Sequence, residues 1–250
     1  MRFLLFILCL IYTSTAAMAG QLSANIRIAS KHLGYHLQYW VYYPTGTKTT
    51  DKLPTLYLAD GQLYLEYGKL HGLIDKEIKA GRIKPIIAVF IDPRDPTYQQ
   101  NNRRAHEFVC NQDYVNFFKD ELIPAVERQF PVSTRREDRV IAGLSLGGLN
   151  AGCFGLMASD KFAGIAMQSP AYYPFSDLKE RYEAAPVQPI KIFFSVGRKE
   201  TSNTSARWLR KVLDDKGYDL IYREVHHRHD WKNWGPLQDD ILHTFFSPTR

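Results

Sequence analysis

Residues 139–151 read RVIAGLSLGGLNA, and their reading decides the fold. Residues 139–143 are short and apolar enough for a buried strand. From Gly147 to about Met157 the chain reads as a helix. Between them, Gly143-Leu144-Ser145-Leu146-Gly147 is a G-x-S-x-G match. A strand before it and a helix after it are the context that a nucleophile elbow requires. The serine must sit on a sharp, strained turn so that its hydroxyl stands clear of the sheet, and glycines two residues to either side leave room for that turn. The helix that follows points its N-terminal amides and positive dipole end at the place where an oxyanion would form. Leu146, next after the serine, would supply one such amide. The competing reading is a phosphate-holding turn at a helix start, but the lysine of a P-loop is missing.

Outward from the elbow, strand-like and helix-like segments alternate. Residues 26–30 and 37–43 are rich in β-branched and aromatic residues, as strands are. Residues 55–59 form a short apolar run closed by the Asp60-Gly61 turn signal. Residues 64–80 predict one helix, stopped by Gly81. The run PIIAVFI (85–91) suits a strand buried on both faces. Residues 92–104 are polar and contain proline, so they read as a long loop. Residues 113–130 are amphipathic at helical spacing, and Pro124 predicts a kink or a restart within them. Strands are expected at 162–167, 190–196 and 220–225, and helices at 204–216 and 230–246. No repeat, low-complexity tract or linker interrupts this order. It predicts a single α/β domain over 20–250, with a mostly parallel central sheet flanked by helices and antiparallel strands at the N-terminal edge.

The chain has 250 residues, of which 45% are hydrophobic and 23% charged. These are ordinary globular proportions. It opens MRFLLFILCLIYTSTAAMAG. Arg2, the apolar run 3–12 and Ala17-Met18-Ala19 have the layout of a secretory signal peptide cleaved after residue 19. The apolar run is too short for a stable span, which needs about 20 residues, so no stable membrane anchor is expected after cleavage. The exported chain keeps Cys110 and Cys153. A disulfide between them is possible, but Cys153 lies in an apolar stretch and reads more simply as a small buried hydrophobe. The formal charge of +6 is spread among acids, as in RREDR and DDKGYD. No basic run of the kind that reads nucleic acid occurs. No clustered Cys/His ligand motif points to a metal, and the chemistry below needs no organic cofactor.

Serine is a poor nucleophile at neutral pH without a base. In a fold with this elbow the chain order is serine, acid, histidine. The loop HHRHDW (226–231) between the last strand and the last helix carries three histidines. His229 directly precedes the helix start, where Asp230 is placed to cap it, and is the chosen base. His226 and His227 read as structural, and His243 falls within the final helix. The acid should follow the strand 190–196. Glu200 is the only carboxylate in that loop, GRKETSN, and a solvated glutamate paired with Arg198 or Lys199 is the bland alternative. Asp214 and Asp215 lie in a helix and fit worse. The second oxyanion amide should come from Asp60-Gly61-Gln62, with Gln62 the choice and Leu63 a substitute.

The stretches YLADGQ (57–62), RAHEF (104–108), FFKDELIPAVERQFPV (117–132), IAGLSLGGLNA (141–151), GRKE (197–200) and HDWKNW (229–234) together resemble the Putative esterase family of α/β-hydrolases. That family includes esterase D-like enzymes, enterochelin esterases and feruloyl esterases. The elbow alone is specific; the other pieces match by their joint order and spacing. The resemblance implies an α/β-hydrolase fold, Ser145 as nucleophile and His229 as base. Many relatives carry Asp in a G-x-x-D pattern where this chain has Glu200. Segments around RAHEF and HDWKNW border the cleft in the family, so Trp231 and Trp234 are candidates for an aromatic wall against an aryl or sugar group, with core packing as the equal alternative. Arg104 and Glu107 match the family's R-x-x-E pattern, for which a structural ion pair is expected. The implied activity is hydrolysis of a small-molecule or saccharide-linked ester through an acyl-enzyme. Two alternatives share the fold: an acyltransferase to a sugar or lipid acceptor, as in the mycolyltransferases, and a non-catalytic binding module.

Overall fold

The computed structural model describes residues 20–171 and 177–248. The expected signal segment, 1–19, lies outside the described residues. Those residues form a nine-stranded sheet: β1 (Gln21–Leu22), β2 (Ile26–Ala29), β3 (His36–Tyr43), β4 (Thr55–Ala59), β5 (Ile87–Asp92), β6 (Arg139–Leu144), β7 (Gly164–Gln168), β8 (Lys191–Gly197) and β9 (Asp219–Val225). The strand order is β1-β3-β5-β4-β6-β7-β8-β9, with β2 also on β3. β1, β2 and β5 run antiparallel to β3. Every pairing from β5 through β4 to β9 is parallel. This is the α/β-hydrolase arrangement that the sequence predicted.

Every residue of β4, β5, β6 and β7 is buried. Because side chains alternate across a strand, each of these strands feeds two cores. Tyr57, Ala59, Val89, Ile91 and Ile141 face one core. It is closed by α4 (Gln112–Phe117), α6 (Leu146–Met157) and α8 (Asn203–Asp215), through residues such as Val115, Leu149, Phe154 and Leu209. Leu56, Leu58, Ala88 and Phe90 face the other. There Leu70 and Ile74 of α2 (Leu70–Lys79) meet Ile241 and Leu242 of α10 (Gln238–Phe246).

Several elements depart from the sequence reading. The single helix expected over 64–80 is two, α1 (Gly61–Glu66) and α2, separated by Tyr67-Gly68-Lys69. Lys69 takes a left-handed conformation, φ 47°. A Cβ on Gly68 would lie 2.7 Å from Gln238 Oε1, so the break lets α10 approach closely. The final helix is broken at Gly235-Pro236 into α9 (Trp231–Trp234), a 3₁₀ turn and α10, because proline has no N–H to continue the ladder. At Pro124 the expected restart is found, with the proline in the first turn of a new helix. A π-turn over Phe118–Leu122 joins α4 to α5 (Ile123–Gln129), and its wider ring accommodates the pyrrolidine. The loop after β5 contains a short helix, α3 (Arg104–Glu107), and α7 (Leu178–Ala184) had no counterpart in the sequence reading.

Cys110 and Cys153 form a disulfide, with Cα atoms 5.1 Å apart. This corrects the preferred reading of Cys153 as an unpaired small hydrophobe. Cys153 is fully buried, yet burial and pairing coexist, because Cys110 sits at φ 54° in the tight turn before Asn111. Asn111 then caps α4, accepting hydrogen bonds from the amides of Asp113 and Tyr114. The bridge fastens the loop that carries α3 to the helix that follows Ser145.

Candidate active site

Turns at the carboxyl ends of β4, β6, β7, β8 and β9 gather at one edge of the sheet, where open α/β sheets place their ligand crevice. Ser145 leaves β6 at φ 57°, ψ −120°. Such a conformation costs a non-glycine residue on the order of 1–3 kcal/mol, and the surroundings enforce it. The Ser145 amide donates to Gln168 O at 2.9 Å, holding the turn against β7. A Cβ on Gly143 would lie 2.2 Å from Gly147 O, so only glycine allows the chain to fold back so tightly.

His229 Nε2 lies 2.9 Å from Ser145 Oγ, and its Nδ1 lies 2.7 Å from Glu200 Oε2. The imidazole is 42% exposed, while the carboxylate beneath it is 1% exposed. Asp230 starts α9, and its side chain accepts from the Lys232 amide. Burial pushes the Glu200 carboxyl up, but hydrogen bonds from His229, Ser169 and the Gly197 amide outweigh it and hold the group below the usual carboxylate range. Glu200 is therefore not a solvated glutamate. Arg198, one of its alternative partners, pairs with Glu224. His226 and His227 are exposed beside the site. His243 binds Glu77 at 2.7 Å through α10, which packs in the second core.

Leu146 and Gln62 fall in the first turns of α6 and α1, where backbone N–H groups lack intrahelical partners. The two turns are in contact: a Cβ on Gly147 would lie 3.4 Å from both Ala59 and Asp60 Oδ2. Trp234 is only 7% exposed and stands edge-on to His229, ring centroids 4.9 Å apart. It is a packed residue, which corrects its reading as an open wall. Trp231 is half-buried and stacks on exposed Tyr67 at 6.1 Å.

The expected Arg104–Glu107 ion pair does not form. Arg104 reaches Asp60 Oδ2 at 2.5 Å instead, and Asp60 is wholly buried. Glu107 accepts from the Tyr35 hydroxyl at 2.9 Å. One helical turn separates Arg104 from Glu107, yet the arginine is drawn to the turn after β4 and the glutamate to Tyr35. Burial pushes the Asp60 carboxyl up, and the Arg104 guanidinium opposes that shift. Deleting one partner of a buried pair strands the other charge. Arg104→Met is therefore expected to cost about 3 kcal/mol, read from urea unfolding, and Asp60→Asn in the same chain should restore most of the loss. Equal midpoints for Arg104→Met and wild type would contradict this.

Sequence reasoning missed Asp60, Arg104 as its partner, Ser169 and Asn233. Asp60 carried a turn signal only. Ser169 follows a strand with no motif of its own.

A family model described as "Putative esterase" matches residues 30–245. The iron(III) enterobactin esterase of Escherichia coli (strain K12) is 31% identical over 224 residues, which is 85% of this chain and 54% of that protein. The acetyl esterase of Caldicellulosiruptor saccharolyticus is 25% identical over 225 residues, 74% of this chain and 80% of that protein. Among solved structures, the enterobactin esterase of Shigella flexneri, crystallised in the presence of enterobactin, superposes with a TM-score of 0.78 at 26% identity, over 90% of this chain and 58% of that one. The chain thus spans about half the length of the enterobactin esterases it matches.

Proposed function

The chain belongs to the Putative esterase family of α/β-hydrolases, and from that premise we propose that it hydrolyses a carboxylic ester through an acyl-enzyme. The observation that carries this reading is the continuous chain Ser145 Oγ–His229 Nε2 at 2.9 Å and His229 Nδ1–Glu200 at 2.7 Å, mounted on a strained turn. Ser145 Oγ attacks the ester carbonyl as His229 Nε2 takes its proton. The amides of Leu146 and Gln62 hold the oxyanion. Collapse breaks the bond to the alcohol, which leaves with the proton from His229, and the acyl group stays on Ser145. His229 then removes a proton from water, the resulting hydroxide attacks the acyl carbon, and the acid departs as Ser145 recovers its proton. Glu200 stays ionised, fixes the imidazole tautomer and stabilises the imidazolium.

Trp231, stacked on Tyr67 two residues beyond the base, is the surface offered to an aryl or sugar ring of the substrate. Relatives named for enterobactin and for acetyl esters bracket the acyl groups to test. Incubation with a fluorophosphonate probe should modify Ser145 and no other residue, and a panel of short p-nitrophenyl, feruloyl and catechol esters should include a substrate. A folded protein that takes no label would instead be a binding module. Transfer of the acyl group to an added sugar, with little free acid, would make it an acyltransferase.

Residues 1–19 are read as an export signal. The Cys110–Cys153 bridge supports this, since disulfides persist in oxidising compartments. Sequencing the N-terminus of protein recovered from the periplasm or medium should find Gly20 first, and an intact Met1 there would count against cleavage.

A further inference from the structure

We infer that Trp234 and Ser169 form a directional hydrogen-bond relay which, with Asn233, fixes the carboxylate of Glu200 against His229, making all three positioning residues for the ester hydrolysis proposed above. The inference rests on that reading, but its geometry is separate from the nucleophile.

The direction follows from counting donors. An indole N–H can only donate, and Trp234 Nε1 lies 3.0 Å from Ser169 Oγ. Asn233 Nδ2 donates to the same oxygen at 3.1 Å. An ionised carboxylate can only accept, so the hydroxyl's one proton goes to Glu200 Oε1 at 2.6 Å while its oxygen accepts from the indole. Asn233 Nδ2 shares its two protons among this oxygen, Glu200 and Arg228 O. Asn233 Nδ2 reaches Glu200 Oε1 as well, also at 2.6 Å. The Gly197 amide donates to Oε1 at 2.7 Å, and the Ser202 hydroxyl to Oε2 at 3.1 Å. Oε1 is thus saturated by fixed donors, which leaves Oε2 as the atom that meets His229.

The relay is dry and rigid. Ser169 and Asn233 are wholly buried. Ser169 is locked just beyond β7 at φ 46°, with its amide on Ser195 O of β8 at 2.7 Å. In a site this dry, hydrogen bonds to a charge carry more weight than in water. The segment HDWKNW consequently does two jobs: His229 faces the serine, while Asn233 and Trp234, a turn later, secure the acid behind it. With fewer donors to its charged form, the Glu200 carboxyl would rise back towards its ordinary value.

Two variants test the relay: Trp234→Phe keeps an aromatic six-membered ring and loses the N–H with the rest of the indole, and Ser169→Ala removes only the hydroxyl. Each is expected to lower kcat on p-nitrophenyl acetate about tenfold, with KM within about twofold: Ser169→Ala removes a hydrogen bond to the Glu200 charge, and Trp234→Phe removes the donor that orients that hydroxyl. The double variant should be no worse than Ser169→Ala alone, because both changes cut one relay. The acidic limb of log kcat/KM should move to higher pH in both variants, as Glu200 loses donors to its charged form. Wild-type kcat and an unmoved acidic limb in both variants would overturn the inference. If wild type hydrolyses no ester, the proposed function fails instead, and the relay is then read from ¹⁵N-labelled protein. The Trp234 indole N–H resonance should move upfield in Ser169→Ala, and an unmoved resonance would overturn the relay on its own.

Discussion

Ser145→Ala is expected to reduce turnover of p-nitrophenyl acetate by at least about 10⁴-fold, because acyl transfer through a serine fails as a unit when the attacking oxygen is gone. The imidazole would remain, with Glu200 behind it at 2.7 Å, but it would have no hydroxyl to deprotonate. Labelling by the fluorophosphonate probe should vanish with activity. Stability should hardly change. Alanine meets the same backbone cost at φ 57° as serine does, and the hydroxyl's partner among the described residues is the exposed ring of His229. Full turnover in a folded Ser145→Ala protein would remove Ser145 from the mechanism.

The second large effect is thermodynamic. Glu107 is fully buried and accepts one hydrogen bond, from Tyr35. Burial pushes its carboxyl up to about 8 from an ordinary 4.5; Tyr35 and Arg103 oppose the rise, and Asp60 and Asp92 add to it. Below pH 4.5 the group is protonated in both the folded and the unfolded chain. From there to about pH 8 the folded chain keeps a proton that the unfolded chain has released, so stability falls as pH rises, and above about pH 8 the loss is complete. The total is on the order of 5 kcal/mol. Glu107→Gln carries no titrating proton and should lack this component. Urea unfolding between pH 5 and pH 9 should show the two proteins close at the acidic end, with the variant ahead at the alkaline end. Parallel curves would mean that Glu107 ionises normally.

Sequence legibility followed the range of the forces involved. The elbow was readable because its backbone demand is local: Gly143, Ser145 and Gly147 sit within five residues, and the strand and helix on either side declare themselves by pattern. His229 and Glu200 were readable because each lies in a short loop of known place in the order, and the structure brings both to Ser145. Pairings across the sheet were hidden. Nothing near Arg104 announces that its carboxylate partner lies 44 residues earlier rather than three residues later. Nothing near Cys110 announces Cys153. Trp234 shows a related limit: its aromatic character fitted both an open wall and a packed support, and only the aim of its N–H towards Ser169 separates the two. Helix boundaries failed where a breaker lay inside a continuing apolar pattern, as at Gly68 and Gly235-Pro236.

The strand order has a consequence for where along the chain the site is completed. From β6 onward the strands follow one another along one edge of the sheet in chain order, β6, β7, β8, β9. The strained serine therefore comes first along the chain and its partners late. Glu200 follows β8, and His229, with Asn233 and Trp234, comes only after the last strand. A chain halted at Val225 would hold every strand of the sheet and a finished elbow, yet no imidazole beside Ser145. The residue that completes the triad thus lies outside the sheet, on the segment that leads into the last core helix.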